Sequence, residues 1–173
     1  MTFDPRDELW NAAFNTYYDA YYEEMAADKM INRWQILDEI TKVLVALTTS
    51  GSAISGWALW SNQNFKYVWL IFAGAGAVLA LIHSTLGVPG RLKDWGEIKR
   101  WFAMIRIDLE TFKYRMTVDP EFSINNFTEE FVDYRRRYSE GIQRLKNDIF
   151  RSNRLEKKTQ GELNERIELN SQT

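Results

Sequence analysis

The sequence contains no cysteine and a single histidine, and these two scarcities exclude several classes of function. Without thiols there can be no disulfide framework, thiolate zinc site, iron–sulfur cluster or cysteine nucleophile. One histidine excludes most histidine-based metal sites and weakens any proposal of a histidine-dependent hydrolase. P-loop, dinucleotide-binding, HExxH and GxSxG motifs are also absent. We therefore expect no enzyme, no catalytic residues, no metal and no cofactor.

The sequence also lacks a large excess of either positive or negative charge. The 22 Lys and Arg residues are matched by 24 Asp and Glu residues, which gives a formal charge of -2 over 173 residues. A general nucleic-acid binder would carry an excess of positive charge, so we expect no nucleic-acid partner. Aromatic residues are abundant by contrast, with 7 Trp, 8 Tyr and 10 Phe. Such a content is typical of membrane interfaces and equally of large aromatic cores.

Two long stretches without a charged residue determine the predicted class. They lie between Lys42 and Lys66 and between Lys66 and Arg91. A bilayer core needs about 20 helical residues. We therefore predict transmembrane spans over about 43–60 and 67–88, which the short connector 61–66 folds into an antiparallel hairpin. The first stretch is rich in hydroxyl side chains, so a buried helix of a soluble protein is its alternative interpretation.

The distribution of positive charge predicts the orientation of this hairpin. Lysines and arginines flank the outer ends of both stretches, whereas the connector carries only Lys66. By the positive-inside rule both termini face the cytoplasm. The first forty residues lack the apolar segment of a signal peptide, so the first span is expected to act as an uncleaved insertion signal. The predicted location is the cell inner membrane, as a multi-pass protein whose first partner is the lipid bilayer.

The polar parts of the chain predict long amphipathic helices. Residues 1–42 form one aromatic helix or two, with Asp4 as the N-cap and an unplaced break near 26–29 as the alternative. Residues 91–150 form a helical pair, whose second helix is expected to open with a capping box at Asn126 and Glu129. The range 43–90 is the hairpin, and 151–173 is a loosely held helix or a disordered tail. The predicted fold class is an all-α membrane protein that assembles into oligomers.

A heptad stripe dominates the helix after the hairpin. Its apolar residues alternate in steps of three and four, which is the a/d rhythm of a coiled coil. The stripe must be buried against the N-terminal helix, the last helix or another subunit. We assign the assembly contacts to Trp95, Phe102, Ile105, Leu109 and Phe112.

Small and hydroxyl residues in the two spans predict a second set of sites. Thr48, Ser52 and Ser55 fall on one face of the first span and are candidates for lining a pore. The alternative is a packing seam between the two spans, because hydroxyls can bond their own backbone or a neighbouring helix. Residues that would let the helices approach closely are Gly56, Ala73, Gly76, Ala77 and Ala80.

Ionisable residues supply the remaining candidates. His83 lies near the cytoplasmic end of the second span, where it could act as a gate or simply bond a carbonyl or a lipid headgroup. Arginines could contact an anion or a lipid, although a solvated surface explains them equally. The candidate anion contacts are Arg100, Arg106, Arg135 and Arg136.

The layout resembles the SLATT superfamily of two-span bacterial membrane proteins. The similarity rests on an aromatic N-terminal helix, two closely linked spans, the segment WGEIKRWFAMIRIDLETFKYR and a following helix that begins FTEEFVDYRRRY. The pattern around Trp95, Arg106, Glu110 and Tyr114 carries it, without a short diagnostic motif. The resemblance implies a pore-forming effector in bacterial conflict systems such as anti-phage defence. A cytoplasmic sensor protein or a nucleotide messenger would be its trigger.

Together these features predict an oligomeric inner-membrane effector that forms or gates a pore on a cytoplasmic signal. The alternative is a non-conducting scaffold or accessory subunit of a larger membrane complex. The two differ in whether the purified protein conducts on its own.

Overall fold

The computed structural model describes residues 4–58, 63–118, 123–145 and 147–170, with the side chains at 47–58, 63–66, 68–70, 72, 73 and 170 left out of the description. The described residues form five helices and no strand, which confirms the predicted all-α class. The helices are α1 (Pro5–Ala58), α2 (Gln63–Leu86), α3 (Val88–Val118), α4 (Ile124–Arg144) and α5 (Asn153–Asn170).

The N-terminal segment is one continuous helix. Asp4 caps it, since its Oδ1 accepts a hydrogen bond from the Arg6 backbone N–H at 2.8 Å. The alternative of a break near 26–29 is wrong, and Ala26 and Ala27 are buried within the helix. The physical reason is visible in the sequence, because no glycine or proline interrupts α1 between Pro5 and Gly51.

Two further helix boundaries differ from the predicted second span, 67–88, and from the predicted capping box. The break between α2 and α3 occurs at Gly87, whose φ of 60° only glycine adopts readily, whereas Pro89 lies within the first turn of α3, where proline is tolerated. The predicted capping box at Asn126 is wrong. The helix α4 starts one turn earlier with Ser123 as its N-cap, because the Phe127 N–H already bonds to the Ser123 carbonyl at 3.2 Å.

The C-terminal segment also differs from its prediction. Of the two predicted alternatives, the loosely held helix and the disordered tail, the helix is the one found: the segment forms α5, and the difference is that Gly161 does not interrupt it. Leu155, Thr159 and Leu163 of this helix are buried, so it is held by packing as well as by polar contacts. Spaced four residues apart, these three side chains line one face of α5.

The chain divides into two compact units. The first unit consists of Met1–Met30 and Asp94–Thr173, and the second consists of Ile31–Lys93. Within the part of the chain that the structure describes, no helix combines the length and the apolar character needed to cross a bilayer.

The heptad stripe of α3 forms the centre of the first unit. Phe102, Ile105, Leu109 and Phe112 are completely buried, and Trp95 is nearly so. Phe112 stacks against Phe131 of α4 at 6.2 Å between ring centroids, and Phe102 meets Tyr138 edge to face at 5.8 Å. These residues therefore belong to the core of the chain itself. The prediction that they provide contacts between subunits is corrected accordingly, because a side chain enclosed by its own chain offers no free surface.

Alanines of α1 complete this core. Ala13, Ala20 and Ala27 are completely buried and lie seven residues apart, as in a heptad seam. Trp10, in contrast, is 37% exposed, and the Lys113 ammonium lies over its ring, 5.2 Å from the ring centroid. The face of α1 that enters the core thus carries these alanines together with Tyr17 and Met25, which are also buried.

Candidate functional site

A polar cluster joins α1 and α2 within the second unit. Nε2 of His83 lies 2.8 Å from Oδ1 of Asp38, and Nζ of Lys42 donates to Oδ2 of the same carboxylate at 2.6 Å. Both members of the helix-to-helix contact are largely enclosed, with 22% of the His83 side chain and 14% of the Asp38 side chain exposed. Hydrogen bonds from Lys42 and then from His83 lower the pKa of Asp38. We call these three residues the Asp38 cluster.

The Asp38 cluster gives His83 a partner that the sequence analysis missed. A carbonyl or a lipid headgroup was expected, and the structure supplies a carboxylate from the preceding helix. A signal for it was present, because an antiparallel hairpin brings the residues before the first stretch close to the end of the second. The contact can fix the register of α1 against α2, so a gating role for His83 stays a prediction with a defined partner.

Large apolar side chains of α2 are exposed along one side of the helix. Ile71, Val78 and Leu81 are 70%, 59% and 71% exposed, and Tyr67 and Ile82 extend the same strip. On α1, Ile36, Ile40 and Val43 are exposed at helical spacing. Contiguous apolar strips of this kind mark a surface that contacts lipid or another protein. We call the two strips together the apolar face of the second unit.

Most of the predicted pore and packing residues have side chains outside the part of the chain that the structure describes. Thr48, Ser52, Ser55 and Gly56 belong to the backbone of α1 and Ala73 to that of α2, but their side chains are not among the described residues. Gly76 is buried, whereas Ala77 and Ala80 are exposed. Among these three, only Gly76 therefore fits a seam within the chain, and the pore lining stays a prediction.

The structure does not bring the candidate arginines together. Arg100 and Arg135 are exposed, and Arg136 forms ion pairs with Asp133 and Glu140 of its own helix. Arg106 instead faces α1, where its Nε lies 2.6 Å from Glu24 and its guanidinium covers the Tyr21 ring at 5.0 Å. Arg106 also lines a polar cavity of the first unit.

Comparison with known proteins adds no relative. No family model matches the chain, and neither a curated protein nor a solved structure matches it.

Proposed function

We propose that the chain is an inner-membrane protein in which the second part of α1 and α2 form a two-span hairpin with both termini in the cytoplasm. Oligomers of this hairpin would form or gate a pore that opens on a cytoplasmic signal and disrupts the membrane. A role in anti-phage defence is what the family resemblance implies for such an effector.

The apolar face of the second unit is the observation that carries this proposal. Each exposed Ile, Leu or Val side chain stabilises the protein only when it is removed from water, by about 25 cal/mol per Å² of apolar surface. The sequence of α2 from Tyr67 to Leu86 contains no Asp, Glu, Lys or Arg. Twenty such residues match the thickness of a bilayer core. Lipid is the solvent that would cover a strip of this length without a partner protein.

The Asp38 cluster would then set the state of the hairpin. Its contact joins the two helices near the end of the second charge-free stretch, where the predicted cytoplasmic interface begins. Breaking it would free α1 and α2 to shift relative to each other. A few hydrogen bonds are enough for such a bias, because states of a gate differ by only a few kcal/mol.

Membrane insertion is tested by placing a charge on the apolar face. Val78→Arg should lower the fraction of protein that resists alkaline carbonate extraction from bacterial membranes, because an arginine at the centre of a span costs about 2.5–3.5 kcal/mol. The matched control is Met104→Arg, which changes an equally exposed apolar side chain of α3 in the first unit. Equal extraction of wild type and of both variants would contradict the proposed hairpin, as would terminal tags that report opposite compartments.

Pore formation is tested separately with dye-loaded vesicles. Because the proposed pore opens on a signal, the test uses Asp38→Asn, which weakens the contacts of His83 and Lys42 with this residue. The variant should release the dye faster than the wild type while both proteins stay in the vesicles. Vesicles that contain inserted protein and never leak would contradict the pore.

The alternative of a non-conducting scaffold has an observation of its own. Four apolar side chains are exposed on α3 on the side opposite the buried stripe, at steps of three, seven and four residues: Met104, Ile107, Tyr114 and Val118. An apolar stripe in the first unit suits contact with another protein. Stoichiometric co-purification of a partner, together with silent vesicles, would favour the scaffold.

A further inference from the structure

We propose that a polar cavity in the first unit binds a small phosphate-bearing anion. The cavity has a volume of about 300 Å³ and lies between α1, α3 and α5. We call it the junction cavity. Its charged residues come from all three helices, and the site is independent of the proposed membrane function because every residue of it belongs to the first unit.

The junction cavity has more positive than negative groups. Its four cations are Lys29, Lys99, Arg106 and Arg166, and its three carboxylates are Glu24, Asp28 and Glu162, which leaves a formal charge of +1. Cations that converge on one polar cavity are the usual means of holding a phosphate. A volume at the lower end of the range for small-molecule sites suits a phosphate with a small substituent.

Arg166 carries the excess charge. Its NH1 donates to the Tyr21 hydroxyl at 3.1 Å. This bond to Tyr21 is the main reason why the pKa of Arg166 is raised, and longer-range Coulombic attraction from Glu162 and Asp28 adds to it. Among the described residues Arg166 has no carboxylate at ion-pair distance. Most of the five N–H donors of its planar guanidinium are therefore free for the bidentate bonds that arginine makes to phosphate.

The two lysines can exchange their present partners for a ligand. Lys99 lies 2.6 Å from Asp28 in a pair whose side chains are 41% and 61% exposed, and exposed pairs of this kind contribute about 1 kcal/mol or less. The Lys29 ammonium is enclosed and forms an ion pair with Glu162 at 2.8 Å, which uses one of its three N–H donors. It can therefore donate to an anion that approaches from the cavity.

The fourth cation has a different task. Arg106 and Glu24 form a more enclosed pair at 2.6 Å, and the same guanidinium covers the ring of Tyr21. This pair holds Tyr21 in place, and Tyr21 in turn orients Arg166 through its hydroxyl. Arg106 is thus a positioning residue for the anion site rather than its first contact.

Occupancy of the junction cavity would strengthen the docking of α5. Two of the groups that face the cavity, Glu162 and Arg166, come from this helix, and the others come from α1 and α3. An anion bound by Arg166, Lys29 and Lys99 would link the three helices through one ligand. It would also screen the repulsion among the cations themselves.

The proposal is tested on the full-length protein by titration with inorganic pyrophosphate at constant ionic strength. We expect saturable binding that Arg166→Gln weakens by about tenfold or more, because bonds to charged groups are the strong ones. Arg154→Gln is the matched control, since Arg154 is an exposed arginine of α5 that does not line the cavity. It should leave the affinity within about twofold, as expected for a distant surface charge.

A second measurement separates binding from general charge effects. Pyrophosphate should slow the trypsin cleavage of α5 in the wild type and in Arg154→Gln, but not in Arg166→Gln. An equal loss of affinity in the two variants would overturn the proposal, because it would show attraction to the net charge only. Absence of saturable binding by the wild type would overturn it as well.

The phosphate could belong to a soluble molecule or to a lipid headgroup, and a further arm distinguishes these sources. Phosphatidic acid vesicles that compete with pyrophosphate in the wild type and not in Arg166→Gln would identify a headgroup. Vesicles that fail to compete would identify a soluble ligand. Because the proposed hairpin would itself bind lipid, displacement of pyrophosphate is compared rather than vesicle binding. Phosphatidic acid vesicles that displace pyrophosphate no better than phosphatidylcholine vesicles would refute a headgroup in the junction cavity.

Discussion

Gly141 is the position where a single added methyl group should reveal how closely α3 and α4 pack. A Cβ at this position would lie 2.8 Å from Cδ1 of Trp101 and 2.9 Å from Cζ of Phe102. Neither ring can retreat freely. Trp101 donates its indole N–H to the Arg137 carbonyl at 3.0 Å, and Phe102 is completely buried.

Three contributions determine how much Gly141→Ala should change the free energy of unfolding. Overpacking of a well-filled core costs about 1–3 kcal/mol. Displacement of the indole adds about 1 kcal/mol for the lost hydrogen bond. Alanine then recovers about 1 kcal/mol through its higher helix propensity. Gly141→Ala should therefore lower the free energy of unfolding by about 1–3 kcal/mol, and a chain of this size should lose about 2–4 °C in Tm per kcal/mol.

Gly161→Ala provides the matched control. Gly161 is an exposed residue within α5, and a Cβ there would meet no atom within 4 Å. The same substitution should raise stability at this position by about 0.5–1 kcal/mol. Thermal unfolding followed by circular dichroism, in the same detergent for all variants, measures both changes. If Gly141→Ala were stabilised as much as Gly161→Ala, the close approach of α4 to Trp101 and Phe102 would be refuted.

Two further predictions concern buried charge. Arg151→Met removes the guanidinium that lies 3.0 Å from Glu23 and also pairs with Glu156. Burial raises the pKa of Glu23 above its usual 4.5, and Arg151 opposes this rise. The variant should therefore be closest to the wild type in acid, where Glu23 is protonated, and its loss of stability should grow to about 3 kcal/mol as the pH rises through the raised pKa. Denaturant unfolding across pH measures this, and a pH dependence that persists in the double variant with Glu23→Gln would contradict the assignment. For the Asp38 cluster, a double-mutant cycle of Asp38→Ala and His83→Ala should give a coupling of about 1 kcal/mol. Because the pKa of Asp38 is lowered, that coupling should persist at neutral pH and disappear as the pH falls through the lowered pKa. If the stability changes of the two single variants simply added up in the double variant, the contact would be excluded.

The helical class and the main buried stripe could be predicted from the sequence because they depend on local periodicity. The three-and-four spacing from Trp95 to Phe112 indicates which face of α3 is buried, whatever covers it. The sequence could not decide whether that cover was another subunit or the chain's own α1 and α4. The alanine seam of α1 was missed for a related reason. Ala13 and Ala20 carry a weak hydrophobic signal, yet their small size is what lets a neighbouring helix approach.

The polar contacts mark the limit of such predictions, because most of them join residues far apart in the chain. Arg136 pairs with carboxylates three and four positions away, a spacing that can be read from the sequence. Its neighbour Arg137 reaches Asp108 on another helix at 2.8 Å, and only the packing of α3 against α4 makes that pair. The same holds for α5, which looks like a polar tail until Lys29 of α1 is placed beside Glu162. Few apolar residues hold this helix, so its docking depends on charged partners that salt, pH or a bound anion can compete for. A helix held in this way is better suited to respond to a signal than one held by a large apolar core.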